Sequence, residues 1–173
     1  MRYFIVCGER SGDLHAGNLA GALRSLDPTV SLMGWGGDKM RAAGVKVVQD
    51  YEELAFMGFV EVVKNLGKIR GFMRKAKEQI LEFQPDALIL VDYAGFNLRL
   101  AAWAKKRGVK VIYYIPPKAW AWNQKRAYTL KKVTDLTLAI FPFEVPFFAR
   151  FGVNVKYVGN PLFDEIRQFK PDE

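Results

Sequence analysis

The 173-residue sequence contains one cysteine and one histidine, and this scarcity excludes several kinds of site. A single cysteine, Cys7, cannot form a disulfide within the chain, and the sequence offers no spacing of metal ligands. The apolar stretch 3–7 is too short for a secretory signal peptide, and no apolar run is long enough to span a bilayer. We therefore expect a cytoplasmic protein without a metal ion.

The two common glycine-rich nucleotide motifs are also absent. The apolar residues 3–7 lead directly into Gly8-Glu9-Arg10-Ser11-Gly12-Asp13, where the glycines allow a tight turn. This loop is not G-x-G-x-x-G, and no Gly-Lys-Ser/Thr follows it, which excludes the dinucleotide and P-loop interpretations. Two interpretations remain: a ligand-binding loop at a strand end, or a turn in which Ser11 or Asp13 caps the next helix.

Composition predicts a folded, basic protein. Half of the residues are hydrophobic and 14% are aromatic, which is incompatible with a disordered chain. The net charge of +8 favours anionic partners, namely nucleic acid, anionic lipid or phosphorylated substrates, without choosing among them.

Short apolar runs alternate with amphipathic segments along the chain. This alternation predicts an α/β fold with a Rossmann-like, doubly wound and mostly parallel sheet. We expect one domain over residues 1–162 and the start of a linker over 163–173. The predicted strands are 3–7, 29–33, 45–48, 86–92, 109–115, 135–140 and 154–158, and the predicted helices are 14–26, 38–43, 60–83, 96–107, 120–132 and 143–150.

Asp92 follows the most apolar of these strands, in the segment Asp92-Tyr93-Ala94-Gly95-Phe96-Asn97. Catalytic residues collect at the carboxyl ends of parallel strands, and a carboxylate beside aromatic rings can act as a general base. The competing interpretation is that Asp92 caps the following helix. From spacing alone, Asn97 is an early-helix polar residue more readily than a ligand contact.

Two tryptophans with flanking cations follow the next strand. Trp120 and Trp122 are two residues apart, so on a helix they would point in different directions, and at least one should leave the core or line a cleft. Arg126 is placed to stack on Trp122 or to meet a phosphate. Aromatic and basic residues together also suit RNA binding, although no RNA-binding motif is present.

The segment 53–83 predicts an amphipathic helix with a basic face. Such a helix either packs on the sheet or contacts acyl chains and anionic lipid. The residues that would contact acyl chains are Phe56, Met57, Phe59 and Phe72.

These segments together resemble the lipid-A-disaccharide synthase family of inverting glycosyltransferases. The similar motifs are Gly8 to Asp13, Gly36-Gly37-Asp38-Lys39-Met40 with Glu53 to Gly58, Asp92 to Asn97, Pro117 to Trp122, Pro142-Phe143-Glu144, and Val158-Gly159-Asn160-Pro161-Leu162. The motifs cover nearly the whole chain. Family members are two-domain GT-B proteins, and the resemblance covers only their amino-terminal, acceptor-side half.

The resemblance implies a reaction between UDP-2,3-diacylglucosamine and 2,3-diacylglucosamine 1-phosphate at the inner membrane, with no cofactor. It makes Asp92 the best candidate for the general base. It also implies a peripheral association with an anionic membrane surface, a carboxyl-terminal half that supplies most donor contacts, and no nucleic-acid partner. The implied substrate-binding residues are Glu9, Ser11, Gly12, Asp13, Asn97, Trp120, Trp122, Arg126, Glu144 and Asn160.

Four positions depart from the family pattern: Arg10, Gly95, Lys118 and Asn160. Gly95 stands where many members carry a second aspartate, which leaves Asp92 as the only acid of its motif. The other departures keep open a non-catalytic domain that binds a nucleotide sugar or lipid. A basic RNA-binding domain is the third alternative.

Overall fold

The structure, a computed structural model, describes residues 1–55, 66–163 and 166. Within these residues seven parallel strands form one sheet, in the order β3-β2-β1-β4-β5-β6-β7. The strands are β1 (Arg2–Val6), β2 (Ser31–Gly36), β3 (Lys46–Asp50), β4 (Ala87–Val91), β5 (Lys110–Tyr114), β6 (Leu136–Ala139) and β7 (Val155–Tyr157).

The helices connect successive strands and lie on the sheet. They are α1 (Arg10–Leu26), α2 (Asp38–Ala42), α3 (Glu52–Ala55), α4 (Leu66–Phe83), α5 (Ala94–Lys106), α6 (Lys125–Val133) and α7 (Glu144–Arg150). Every residue of β4 is buried, as expected for an apolar strand that is covered on both faces.

Two apolar cores form, one on each face of the sheet. The larger contains Phe4, Trp35, Leu88 and Tyr113, packed with residues of α4, α5 and α6. The smaller contains Ile5, Cys7, Ile89 and Tyr114, packed with residues of α1 and α2. Neighbouring residues of one strand therefore contribute to opposite cores, which is the alternation of side chains that a strand imposes.

The strand order reverses its direction between β1 and β4. From β1 the chain proceeds outward through β2 to β3, and from β4 it proceeds outward the other way through β5 and β6 to β7. The carboxyl ends of β1 and β4 therefore define the topological switch point, where open α/β sheets bind ligands.

The predicted fold class is confirmed, and each predicted strand is present with its ends shifted by a few residues. The predicted helix 120–132 is wrong at its start, because α6 begins at Lys125 and residues 119–122 form turns. The short helix α3 was not predicted. Residues 60–65 of the predicted helix 60–83 lie outside the described part of the chain. Over the ranges that are described, each helix is too short or too polar to cross a bilayer.

Candidate active site at the carboxyl ends of the strands

The loops that follow β1 and β4 are in close contact at the switch point. The ring of Tyr93 lies over Gly8, where a Cβ atom would come within 2.4 Å of Tyr93 Cδ1. Only glycine fits at position 8 with this ring in place. The sequence predicts that both loops emerge on one side of the sheet, and this contact joins them into one surface.

Asp92 lies at the centre of this surface in an uncommon backbone conformation. The φ angles of Asp92 and Tyr93 are 48° and 47°, so two consecutive residues other than glycine adopt the left-handed region. L-residues avoid this region, and it concentrates at functional sites when they do adopt it. Asp92 is half-buried, and this conformation sets the direction in which its carboxyl group leaves the strand end.

The electrostatic surroundings of Asp92 suit a proton acceptor. Burial raises the pKa of Asp92, while the Tyr93 backbone N–H and the nearby charges of Lys118 and His15 act in the opposite direction. A base is most effective when its pKa lies near the working pH, so an upward shift from the ordinary aspartate value is favourable. Lys118 also acts on Glu144, which locates this cation near both carboxyl groups.

The backbone of Asp92 is fixed by two buried side chains. Its carbonyl oxygen accepts hydrogen bonds from Asn97 Nδ2, at 2.9 Å, and from the hydroxyl of Tyr113, at 2.7 Å. Asn97 is completely buried and also donates to the carbonyl oxygens of Val91, at 3.2 Å, and Val6, at 3.4 Å. These hydrogen bonds of Asn97 connect the ends of β1 and β4. Direct contact between Asn97 and substrate stays a prediction.

Asp13 has a role that differs from the predicted cap of its own helix. Its Oδ1 accepts hydrogen bonds from the backbone N–H of Gly37, at 2.6 Å, and of Met40, at 3.2 Å, and its Oδ2 accepts one from Lys39, at 3.0 Å. The N-cap position of α1 is Glu9, whose side chain makes no capping hydrogen bond. Asp13 therefore caps α2, and of the two interpretations that the sequence leaves open, the one in which Ser11 or Asp13 caps α1 is wrong.

The other residues of the first loop divide between the surface and the interior. Glu9 and Ser11 are exposed at the start of α1, and substrate contact by them stays a prediction. Gly12 is buried, and a Cβ atom there would lie 3.0 Å from Cys7 Cβ. Its smallness therefore allows α1 to approach the end of β1.

Glu144 and Trp120 form a second group at the ends of β5 and β6. Glu144 is buried, and its carboxylate accepts hydrogen bonds from Trp120 Nε1, at 3.3 Å, and from the Phe141 N–H, at 3.2 Å. Burial raises the pKa of Glu144, and these hydrogen bonds oppose the shift. Trp120 stays 38% exposed and contacts Phe143 edge to face, with ring centroids 5.0 Å apart.

The remaining predicted contacts lie at the rim. Trp122 is 87% exposed in the turns that precede α6, and Arg126 is exposed in the first turn of that helix. Asn160 is half-buried, and its Oδ1 accepts a hydrogen bond from the Leu162 N–H at 3.1 Å. Substrate contact by these three residues stays a prediction.

Of the predicted acyl-contact residues, only Phe72 lies among the described residues; Phe56, Met57 and Phe59 do not. Phe72 is half-buried and packs edge to face on Trp35, with centroids 6.1 Å apart. It therefore contributes to the core and retains an accessible portion.

Sequence reasoning missed two members of the site. Tyr113 lies in an apolar strand, where the sequence predicts a core residue. The strand pattern does not indicate that its hydroxyl donates a hydrogen bond to the Asp92 carbonyl oxygen. Lys118 departs from the family motif, and nothing in the sequence indicates that its charge acts on both Asp92 and Glu144. A metal site does not emerge, because no three potential ligands cluster within the described ranges.

Comparison with solved structures identifies the same fold in half of several sugar-nucleotide enzymes. The UDP-GlcNAc 2-epimerase from Neisseria meningitidis, solved with UDP-GlcNAc bound, superposes with a TM-score of 0.71 over 96% of this chain and 48% of its own, at 12% identity. A putative UDP-N-acetylglucosamine 2-epimerase from Listeria monocytogenes gives a TM-score of 0.68 over 100% of this chain and 49% of its own, at 12% identity. At these identities the likeness concerns the fold alone.

Sequence comparison is more specific. Lipid-A-disaccharide synthases from Geobacter sulfurreducens and Nitrosococcus oceani are 46% identical over 166 residues and 47% identical over 163 residues. These matches cover 96% and 94% of this chain but 43% and 42% of the relatives, so the chain spans less than half of their length. The family model for lipid-A-disaccharide synthetase matches residues 3–173. The chain therefore belongs to the lipid-A-disaccharide synthetase family.

Proposed function

We propose that this chain is the acceptor-side half of a lipid-A-disaccharide synthase and that Asp92 is its general base. One observation carries the proposal: the Asp92 carboxyl lies at the switch point of the sheet, on a left-handed turn and with a raised pKa. This combination of position, backbone strain and burial is typical of a catalytic carboxylate.

In the proposed reaction Asp92 accepts the proton of the acceptor hydroxyl as that oxygen attacks the anomeric carbon of the donor sugar. The new glycosidic C–O bond forms while the bond to the UDP oxygen breaks, and UDP leaves with the bonding electrons. General-base assistance of this kind contributes about 10²–10⁴-fold. The acceptor would be 2,3-diacylglucosamine 1-phosphate, and the donor UDP-2,3-diacylglucosamine.

The charges around Asp92 support an anionic acceptor. The charge of Lys118 acts on both Asp92 and Glu144, and Arg126 lies exposed at the start of α6. Cations here favour a phosphate and also keep some ionised carboxylate available. Exposed Glu9 and Ser11 on the opposite loop would contact sugar hydroxyls.

The aromatic residues at the ends of β5 and β6 support binding of an amphiphilic ligand. Trp120 and Phe143 are 38% and 50% exposed and contact each other, and Glu144 holds the Trp120 indole in place. An aromatic pair of this kind presents an apolar surface beside polar groups, as a sugar or acyl chain requires.

We further propose a peripheral location on the cytoplasmic side of the inner membrane. The support is the net charge of +8 and the basic residues of α4, which follow the predicted acyl-contact segment. Phe56, Met57, Phe59 and Phe72 would contact acyl chains there.

The test of the general base is Asp92→Asn in a complete enzyme that carries this domain, assayed for tetraacyl disaccharide 1-phosphate. We expect turnover to fall by about 10²–10⁴-fold, because the amide keeps the shape and loses the basicity. The control is Asp27→Asn, which removes a carboxylate at the C-cap of α1, at the amino ends of the strands and therefore away from the candidate site. Near-normal turnover of the Asp92 variant would overturn the role. Binding of RNA by the unaltered chain, without binding of acylated sugar phosphate, would favour the RNA alternative.

A further inference from the structure

We propose that Tyr113, together with Asn97, is a positioning residue that orients Asp92 by holding its backbone carbonyl. This inference rests on the proposed role of Asp92 as the base. Neither side chain needs to contact substrate, since both act through hydrogen bonds to the turn that carries the carboxyl group.

The first evidence is that one carbonyl oxygen accepts hydrogen bonds from both side chains. Asp92 O accepts from the Tyr113 hydroxyl at 2.7 Å and from Asn97 Nδ2 at 2.9 Å. Both donors come from outside the turn: Tyr113 lies on the neighbouring strand β5, and Asn97 lies on α5. Since a carbonyl oxygen has two lone pairs, these two bonds saturate it.

The second evidence is the conformation that these bonds fix. Asp92 and Tyr93 both have positive φ angles, which two L-residues in sequence rarely adopt unless the surroundings enforce it. The backbone N–H of Asp92 is anchored to the Tyr114 carbonyl oxygen at 3.0 Å, so rotation about the N–Cα bond (φ) of Asp92 would move its carbonyl group and its Cβ together. The two donors oppose that rotation, so they also fix the direction of the carboxyl group.

The third evidence is that Asn97 is committed to donation. Its Nδ2 contacts three carbonyl oxygens, of Val6, Val91 and Asp92, whereas its buried Oδ1 has no hydrogen-bond partner. The opposite amide orientation would place Oδ1 against those three carbonyl oxygens, so the hydrogen-bond network itself selects this orientation.

Tyr113 is suited to remain a donor. It is completely buried, and burial raises its pKa well above the ordinary tyrosine value; the charge of Asp92 raises it further, whereas Arg126 acts weakly in the opposite direction. The raised pKa keeps the phenol protonated at neutral pH, so it stays a hydrogen-bond donor to the Asp92 carbonyl oxygen.

The experiment uses Tyr113→Phe, which removes one oxygen and keeps the packing of the ring. In the 173-residue chain labelled with ¹³C, the Asp92 carboxyl is titrated by NMR, and the Cα and Cβ shifts of Asp92 and Tyr93 report the backbone conformation. The control is Tyr3→Phe, which removes a hydroxyl that contacts Met1 Sδ at the other end of the sheet.

We expect Tyr113→Phe to lower the Asp92 titration midpoint toward the ordinary aspartate value and to move the two residues' shifts away from left-handed values. In a complete enzyme that carries this domain, we expect kcat to fall about tenfold with KM changed less than about twofold, which corresponds to one neutral hydrogen bond. Tyr3→Phe should change none of these quantities.

Unchanged titration and backbone shifts in Tyr113→Phe would overturn the positioning role, whatever the activity of Asp92→Asn. Normal turnover of Asp92→Asn would instead overturn the general base while leaving the positioning result intact. If Tyr113→Phe does not fold, Asn97→Ser is measured in the same way, because its shorter side chain gives up the amide donor. Unchanged shifts in that variant would equally overturn the proposal.

Discussion

The carboxylate of Asp13, on α1, accepts a hydrogen bond of 2.6 Å from the backbone N–H of Gly37, which directly follows β2. Together with the bonds from Lys39 and Met40, this contact caps α2 from a neighbouring helix. Asp13 is 3% exposed, so it is shielded from water and its three hydrogen bonds are not easily replaced. Asp13, near the start of α1, thereby fixes the junction between β2 and α2.

We expect Asp13→Ala to lower the free energy of unfolding by about 3 kcal/mol, because buried hydrogen bonds to a charged acceptor are lost and three N–H groups are left without a partner. Asp13→Asn should cost less, since the amide oxygen still accepts. Urea denaturation followed by circular dichroism measures both. The control is Asp38→Asn, at an exposed carboxylate of the same helix α2. Equal stability of the Asp13 and Asp38 variants would contradict the capping role.

Asp92→Asn should stabilise the isolated chain in a manner that depends on pH. Burial raises the pKa of Asp92 in the folded state above its unfolded value, so the folded state binds the proton more tightly. Stability is therefore lost as the pH rises through the folded pKa, and the asparagine variant escapes this loss. The variant should melt above the unaltered chain at pH 7–8, and the difference should shrink toward about pH 4. Thermal melts across this range test the sign, and a difference that grows on acidification would contradict the shift.

Gly8→Ala should disturb the site more than it disturbs the fold. The added methyl group would lie 2.4 Å from Tyr93 Cδ1 and 2.5 Å from Tyr93 Cγ, so the whole ring must move. We expect a loss of about 1–3 kcal/mol in the free energy of unfolding and altered NMR shifts at Tyr93.

The matched control for that change is Gly95→Ala, in the first turn of α5, where nothing lies within 4 Å of the added atom. This variant should be neutral or slightly more stable, because alanine favours the helix. Tyr93 shifts that respond equally to both substitutions would contradict the contact between Gly8 and Tyr93.

The 173-residue chain alone should show no appreciable glycosyl transfer. It spans 43% of the Geobacter sulfurreducens relative, and transition-state interactions made by the rest of such a protein would be missing. The measurement is the formation of tetraacyl disaccharide 1-phosphate by the purified chain. Robust turnover without another polypeptide would contradict this expectation.

Replacing Phe56, Met57, Phe59 and Phe72 by serine should reduce co-sedimentation with anionic vesicles by about tenfold or more, because apolar insertion and charge attraction act together. The control is Leu26→Ser with Leu81→Ser, two exposed apolar residues on α1 and α4. Circular dichroism is needed beside the binding assay, since Phe72 packs on Trp35. Binding unaffected by the four changes would remove the case for this membrane surface.

The sequence was sufficient for the architecture because continuous apolar runs such as that of β4 allow only a strand that is covered on both faces. It was also sufficient to place Asp92 at a strand end. It was insufficient for contacts between distant segments: the bonds of Asp13 to Gly37 and of Tyr113 to Asp92 span 24 and 21 positions and leave no local pattern. The predicted start of α6 is too early, because the apolar residues 120–122 do not reveal the turns that precede Lys125.

The strand order has a consequence for how the domain tolerates opening. β4, which carries Asp92, has three strands on either side, whereas the three-residue β7 forms one edge and has two exposed residues. Thermal fraying begins where backbone hydrogen bonds face water, so β7 can exchange its amide hydrogens through local openings that leave the centre paired. Hydrogen exchange at Val91 and Tyr114 should then be slower than at β7, and the ends of β1 and β4 would stay paired in forms of the sheet in which only the β7 edge is open.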